Sequence, residues 1–354
     1  MKKIGILTFN RAINYGAALQ AFALKSTIEK KAVCQIINYE TIHGRKGNSL
    51  SFGKSFLRNF VKRIANIKKF KRFYSFINKN ATDRVYNNKT RYDILENKFD
   101  KIIVGSDQVW NYTCSGEYST FLLDFVEEND NIDCYSYAAS FGVPSIPKEH
   151  IDCYKQNIRK FKKISTREET GKKILTEQLN LDSSVVLDPT LLLNKEEWHQ
   201  SLNINKAQKR YILTYFLDSS EELEQMAKAI SKQTGFPIYN ISTSMKSFFG
   251  DKVIKNAGPK EWVEYFYNAE FIVTSSFHGT AFAINFEKQF YTYAENSRAS
   301  RIVDLLKTLN IEDRRISNAN EIDLSKQINY KEVDIKLNEE RNKSFEFIES
   351  IINE

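Results

Sequence analysis

The stretch FIVTSSFHGTAFAINF, residues 271–286, runs apolar, breaks at two serines and sets His278 between Phe277 and Gly279. The run is too apolar to be exposed and reads as a buried strand. Ser276, Phe277 and His278 then fall at its carboxyl end. Gly279 and Thr280 start a helix whose free amides face the same space. An imidazole placed there can take or give a proton near neutral pH, because its unperturbed pKa is about 6.5. A bound phosphate or carboxylate would favour its charged form. A lone histidine is more often a structural filler, and it is the strand-to-helix position that points to function.

Three other turns also follow strands. GSDQVWN, residues 105–111, puts Ser106 and Asp107 at a strand end, with Gln108 and Asn111 able to pair with hydroxyl groups, a pattern suited to carbohydrate. Asp107 could equally be a helix N-cap. The order is not GxSxG, so no hydrolase nucleophile elbow is indicated. STREETG, residues 165–171, offers Arg167 as a planar fork for a carboxylate or phosphate, unless Glu168 or Glu169 neutralises it. In NRAINYGAALQ, residues 10–20, Asn14, Tyr15 and Gly16 precede a helix starting near Ala17. Gly16 could turn left-handed there and let backbone amides meet an anion or a sugar hydroxyl. Downstream, Arg298 and Arg301 in NSRASRIVDLL stand just before a helix, where cations oppose the local dipole and so have reason to hold an anion.

Positioning these turns requires strands that alternate with helices. The clearest strands are 3–9, 101–105, 134–140, 162–166, 184–188, 211–217, 236–240 and 271–276, separated by segments of helical period. They form two groups divided by residues 188–209, which carry a proline and a polar run. The expected architecture is α/β: two doubly wound Rossmann-like domains facing a cleft, GT-B-like, at residues 1–195 and 205–330, followed by a helix at 331–354. The first domain carries a basic helical insertion at about 50–80 and is the expected acceptor side. In open α/β sheets ligands bind at the carboxyl ends of strands.

With 354 residues the chain is long enough for two domains, and 42% hydrophobic with 27% charged residues is ordinary for a globular protein. Its net charge of +8 suits a small anionic substrate, nucleic acid or an anionic membrane surface. Much of the excess lies in residues 54–80, where Lys and Arg interleave with Phe and no acidic residue occurs. Such an amphipathic segment can lie on an anionic membrane, or pack its phenylalanines on its own domain and show its lysines to water. No nucleic-acid motif accompanies the charge, so no nucleic-acid partner is expected. The apolar run at the start is too short for a signal peptide or a transmembrane helix, which places the protein in the cytoplasm, with a peripheral place at the inner membrane face open to it. The four cysteines form no CxxC pair, and His43, His150 and His199 are isolated, so no disulfide framework, no metal and no cofactor are expected.

NYGAALQ, GSDQVWN, SFG at 140–142, STREETG, DPTLLL and SSFHGTAFAINF, in this order and at these separations, resemble the polysaccharide pyruvyl transferase family from about residue 4 to about residue 310. The resemblance implies a two-domain architecture similar to GT-B glycosyltransferases. It also implies transfer of the pyruvyl group of phosphoenolpyruvate onto a sugar of a capsule, exopolysaccharide or cell-wall glycan, with ketal formation and phosphate release. Arg167 and His278 match positions that contact phosphoenolpyruvate in the family. Many relatives carry an arginine two positions before the histidine, where this chain has Ser276.

On that basis Arg167 is expected to grip the donor carboxylate, while Ser276, the Gly279 amide, Arg298 and Arg301 hold the phosphate. His278 is the expected general acid or base. Asp107 orients or deprotonates the acceptor hydroxyl, and Asn14, Tyr15, Gly16, Ser106, Gln108 and Asn111 line the acceptor, which could be lipid-linked. Two rivals stand beside this reading, a GT-B nucleotide-sugar glycosyltransferase and a non-catalytic glycan-binding assembly protein.

Overall fold

The computed structural model describes residues 2–42, 67–114, 116–217, 221–242, 249–293 and 299–354. The chain divides into two compact units. Among the described residues the first holds 2–42, Tyr74–Leu192 and Glu340–Glu354, and the second holds 67–73 and Leu193–Glu339. The division thus falls between Leu192 and Leu193, and residues 340–354 go with the first unit instead of standing apart as a terminal helix.

In the first unit β1 (Lys3–Leu7), β2 (Val33–Ile36), β3 (Lys101–Val104), β4 (Asp133–Ser136) and β5 (Phe161–Lys163) form a parallel sheet in the order β2-β1-β3-β4-β5. Ile4, Ile6, Leu7, Ile102, Ile103 and Val104 are fully buried, as expected of strands covered on both faces. The helix Tyr15–Ile28 is built from alanine, leucine and phenylalanine on nearly every side and is buried almost all round. A short parallel pair, β6 (Ser165–Thr166) and β7 (Ser184–Val185), takes the place of the longer strands expected at 162–166 and 184–188. The helix Tyr330–Asn353 is tied into this unit at its far end. There Ser344 Oγ accepts from Leu187 N (3.0 Å), and Arg341 Nε donates to Leu191 O (2.7 Å).

In the second unit β8 (Ile212–Tyr215), β9 (Ile238–Ile241), β10 (Lys252–Ile254), β11 (Phe271–Thr274) and β12 (Gln289–Thr292) form a parallel sheet in the order β10-β9-β8-β11-β12. Strands β2, β10 and β12 lie outside the eight clear strands of the sequence. All three are short, and each starts or ends among polar residues.

In both sheets the chain builds outward on one side of the first strand and then crosses to the other. The reversal falls between β1 and β3 in the first unit, and between β8 and β11 in the second. Ligands of open α/β sheets bind at such reversals. GSDQVWN follows β3, and SSFHG follows β11.

The described part of the basic segment is the helix Ile67–Asn80. Phe73 and Ile77 are buried and the Phe76 ring packs 5.3 Å from that of Phe22, while Lys68, Lys71, Arg72 and Lys79 are exposed. Residues 54–66 of that segment lie outside the described residues.

Candidate functional site

In the first unit, the turn after β3 is held from several sides. Thr8 Oγ1, just past β1, donates to Ser106 O (2.7 Å), and Gln20 Oε1, from the helix Tyr15–Ile28, accepts from Ser106 N (3.1 Å). Gln20 Nε2 donates in turn to Thr8 Oγ1 (2.9 Å). Ser106 itself is fully buried, and its Oγ donates to Asp188 Oδ2 at 3.3 Å. The expected acceptor contact by the Ser106 hydroxyl therefore gives way to a structural one.

Asp107 follows at φ +75, a left-handed conformation that costs a non-glycine residue about 1–3 kcal/mol and tends to persist where function needs it. Its main-chain oxygen accepts from Ser140 N (2.9 Å) and Val109 N (2.8 Å). Its Oδ1 accepts from Gln108 N (2.9 Å) and lies 3.5 Å from Arg167 Nη2. Oδ2 has no hydrogen-bond partner among the described residues. The Asp107 side chain is 15% exposed, and this carboxylate reaches solvent. Gln108 and Asn111 lean on the SFG turn. A Cβ at Gly142, whose φ is +62, would stand 2.6 Å from Gln108 Cδ and 2.8 Å from Asn111 Nδ2, so glycine is needed there.

Arg167 differs from expectation. Its side chain is 1% exposed and is ion-paired with Asp188 (2.8 Å), Asp107 (3.5 Å) and Glu168 (3.8 Å). Burial pulls its pKa down, but the carboxylates, Asp188 foremost, then Asp107 and Glu168, outweigh that and hold the guanidinium above its usual value. One cation facing three carboxylates is a poor receptor for a further anion. Arg167 is placed to brace Asp107 rather than to fork a donor carboxylate.

In the NYGA loop, Asn14 is the exposed N-cap of the helix Tyr15–Ile28, its Oδ1 accepting from Ala17 N (3.3 Å). Tyr15 and Gly16 are buried in the first helical turn. Gly16 is thus helical and not a left-handed turn, because the helix starts two residues earlier than expected. Beside it, Arg11 donates to Asn38 Oδ1 (3.0 Å) and lies over the Tyr74 ring.

In the second unit, the turn after β11 is capped by Ser276, whose Oγ accepts from Gly279 N at 3.3 Å, and the helix runs Phe277–Asn285. Both groups expected to meet phosphate, the Ser276 hydroxyl and the Gly279 amide, are therefore turned on each other. Gly279 is there for closeness: a Cβ would stand 2.3 Å from Thr274 Oγ1. Thr274 Oγ1 also accepts from Ser276 N (3.1 Å) and donates to Tyr215 O (2.7 Å). Thr280 Oγ1 and Thr292 Oγ1 (3.2 Å apart) join the helix to β12. His278 lies in the first helical turn, half-buried, with its ring 5.3 Å from that of Phe277. The guanidinium of Arg301, half-buried in the first turn of the helix Ala299–Thr308, lies 5.7 Å from the Phe277 ring. Arg298 lies outside the described residues.

The sequence reading did not single out Asp188, Gln20 or Thr8. Only the DPT motif and a glutamine inside an apolar helix hinted at them. Among the described residues no group of three or more His, Cys, Asp or Glu could hold a metal ion, and no helix is long and apolar enough to cross a membrane.

Comparison with known proteins agrees with this organisation. The family model described as polysaccharide pyruvyl transferase matches residues 14–297. No curated protein matches the chain. Among solved structures, the UDP-GlcNAc 2-epimerase of Methanocaldococcus jannaschii, in complex with UDP-GlcNAc and UDP, is similar at TM-score 0.51 and 16% identity, over 100% of this chain and 99% of that one. The S. aureus MnaA–UDP co-structure is similar at TM-score 0.50 and 12% identity, over 91% of this chain and 86% of that one. At such identities the likeness shows the fold, an α/β chain of Rossmann-like, GT-B-like units.

Proposed function

The chain belongs to the polysaccharide pyruvyl transferase family, and from that premise we propose that it moves the pyruvyl group of phosphoenolpyruvate onto two hydroxyls of a glycan sugar. The observation that carries this reading is the contrast in charge between the two turns at the sheet reversals. The turn of the second unit is lined by neutral serines and threonines and has a helix N-terminus, His278 and Arg301 at hand, all of which suit an anionic donor. The turn of the first unit offers the Oδ2 of Asp107, backed by further carboxylates, which suits a neutral hydroxyl and repels an anion.

His278 acts as the general acid that delivers a proton to the methylene carbon, making the central carbon electrophilic. One acceptor hydroxyl adds to that carbon while Asp107 takes or orients its proton. The bond to phosphate oxygen breaks, and the second hydroxyl closes the ketal. Of the two hydroxyl protons, one ends on the new methyl group and the other leaves with phosphate, so the account balances without a redox partner. Arg301, with Arg298, is assigned the donor's phosphate. The amides of Gln108 and Asn111 are assigned the acceptor.

Phosphate release from phosphoenolpyruvate in the presence of acceptor glycan tests this. Activity in the wild type and a loss of about 10²–10⁴-fold in kcat for His278→Ala, with its melting unchanged, is the expected result. Turnover of a nucleotide sugar instead would establish the glycosyltransferase rival, and glycan binding without any turnover would establish the assembly protein. On the same reading the acceptor is carried at the cytoplasmic face of a membrane, and the exposed Lys68, Lys71 and Lys79 touch its anionic surface. Replacing the three with Ser should weaken binding to phosphatidylserine vesicles, and equal binding before and after would remove that contact.

A further inference from the structure

The DPT segment after β7 carries a carboxylate for which the reaction as written has no use. Asp188 is buried, and each of its oxygens is committed. Oδ1 accepts from Thr190 N (3.0 Å) and Thr190 Oγ1 (2.7 Å), which fixes the carboxylate plane. Oδ2 accepts from Ser106 Oγ (3.3 Å) and from Arg167 Nη1 (2.8 Å). Ser106 is the residue before Asp107, and Arg167 is the cation beside Asp107. One buried carboxylate therefore grips both neighbours of the residue that must meet the acceptor.

The backbone carries the same arrangement. Asp107 pairs in parallel with Ala139, and Ala139 with Thr166, so the three segments bearing Asp107, Ser140 and Arg167 lie side by side beyond the sheet's edge. Glu168, next to Arg167, accepts from Ser140 Oγ (2.7 Å), and Ser140 N donates to Asp107 O (2.9 Å). Asp107 is thus held through its main chain, its Oδ1 and its preceding residue, with Oδ2 left over. Preorganisation of this kind matters because a misplacement of about 1 Å can cost about 10²-fold in rate.

We infer that Asp188 is the positioning residue for Asp107, acting through Ser106 and Arg167. The inference rests on the reading that Asp107 handles the acceptor hydroxyl, and its test has one readout independent of that reading. Asp188→Asn keeps the shape and the bonds from Thr190 while removing the charge that anchors Arg167. In hydrogen exchange on the full chain, amides of residues 105–111 should exchange about tenfold faster in this variant, with β1 and β4 unchanged. Exchange that rises evenly across the unit, or not at all, overturns the inference.

In turnover, Asp188→Asn should lower kcat about 10²-fold while the Kd for phosphoenolpyruvate stays within about twofold. Combined with Asp107→Asn it should cost nothing further, since the group it positions is already gone. Multiplicative losses would mean that Asp188 acts elsewhere and would overturn the inference. If Asp188→Asn does not fold, Thr190→Val, which removes only the hydroxyl bond to Oδ1 and keeps the one from Thr190 N, should show the same local exchange and the same non-additivity at smaller size. Absence of turnover by the wild type with phosphoenolpyruvate would sink the proposed function, and the exchange pattern would still decide the role of Asp188.

Discussion

The two turns at the sheet reversals are built by opposite means. Beyond β3, charge is buried: Arg167, Asp188 and Glu168 lie under the surface and one carboxylate oxygen of Asp107 emerges from among them. Beyond β11, charge is kept out of the interior. The helix Phe277–Asn285 is seated on β11 and β12 by serine and threonine hydroxyls and by the missing side chain of Gly279, with His278 and Arg301 half-buried at its edge. A buried ionic brace fixes one functional group in a single orientation. A neutral, closely packed helix start carries its polar side chains at the rim, where His278 and Arg301 are both half-buried. The difference teaches that the arginine nearest a candidate site in sequence need not be the one that meets the anion, since neighbouring carboxylates decide which guanidinium is spent.

The strongest way to break this comparison is to remove each guanidinium in turn. Arg167→Met would leave three carboxylates without their cation, and loss of one partner from a buried ionic group typically costs about 3–5 kcal/mol, so a large fall in the melting of the first unit is expected. Arg301→Met should lower melting far less, because contacts of a cation at the rim, such as a surface ion pair, typically contribute about 0–1 kcal/mol. Equal melting of the two variants would show that Arg167 is not a structural brace. A smaller effect is expected at Gly279. An added methyl at 2.3 Å from Thr274 Oγ1 must push the helix from its strand, and overpacking of this kind costs about 1–3 kcal/mol. Gly279→Ala should therefore melt earlier and also lose activity, because His278 rides on the displaced turn. Full activity in that variant would mean that the position of the turn does not matter to catalysis.

Much of this was legible in the sequence for simple reasons. Apolar runs such as KIIV and FIVT, each followed by small polar residues, announce buried strands and the turns after them, so Asp107 and His278 fall after the right strands, although the second helix begins at Phe277 and takes in His278 instead of starting at Gly279. The state of Arg167 was not legible. Its chief partner Asp188 is 21 residues downstream and Asp107 is 60 residues upstream; the β6–β7 pairing brings in the first, and the parallel bridges through Ala139 bring in the second. The caps were misread for a related reason. A serine or asparagine at a strand end looks the same in sequence whether it meets a ligand or closes its own helix, and Ser276 and Asn14 both do the latter. Gln20 escaped notice because its polar role lies inside an otherwise apolar helix. Strands β10 and β12 escaped because KVI and QFYT are too short to show a period.

Calorimetric binding of phosphoenolpyruvate to the wild type, Asp107→Asn and Arg301→Met compares the two turns most directly. The donor should bind Asp107→Asn at least as well as the wild type, and bind Arg301→Met about tenfold or more weakly, as expected when one charge-assisted contact to an anion is lost. Weakened binding in Asp107→Asn together with undiminished binding in Arg301→Met would place the donor at the acidic turn and contradict the account.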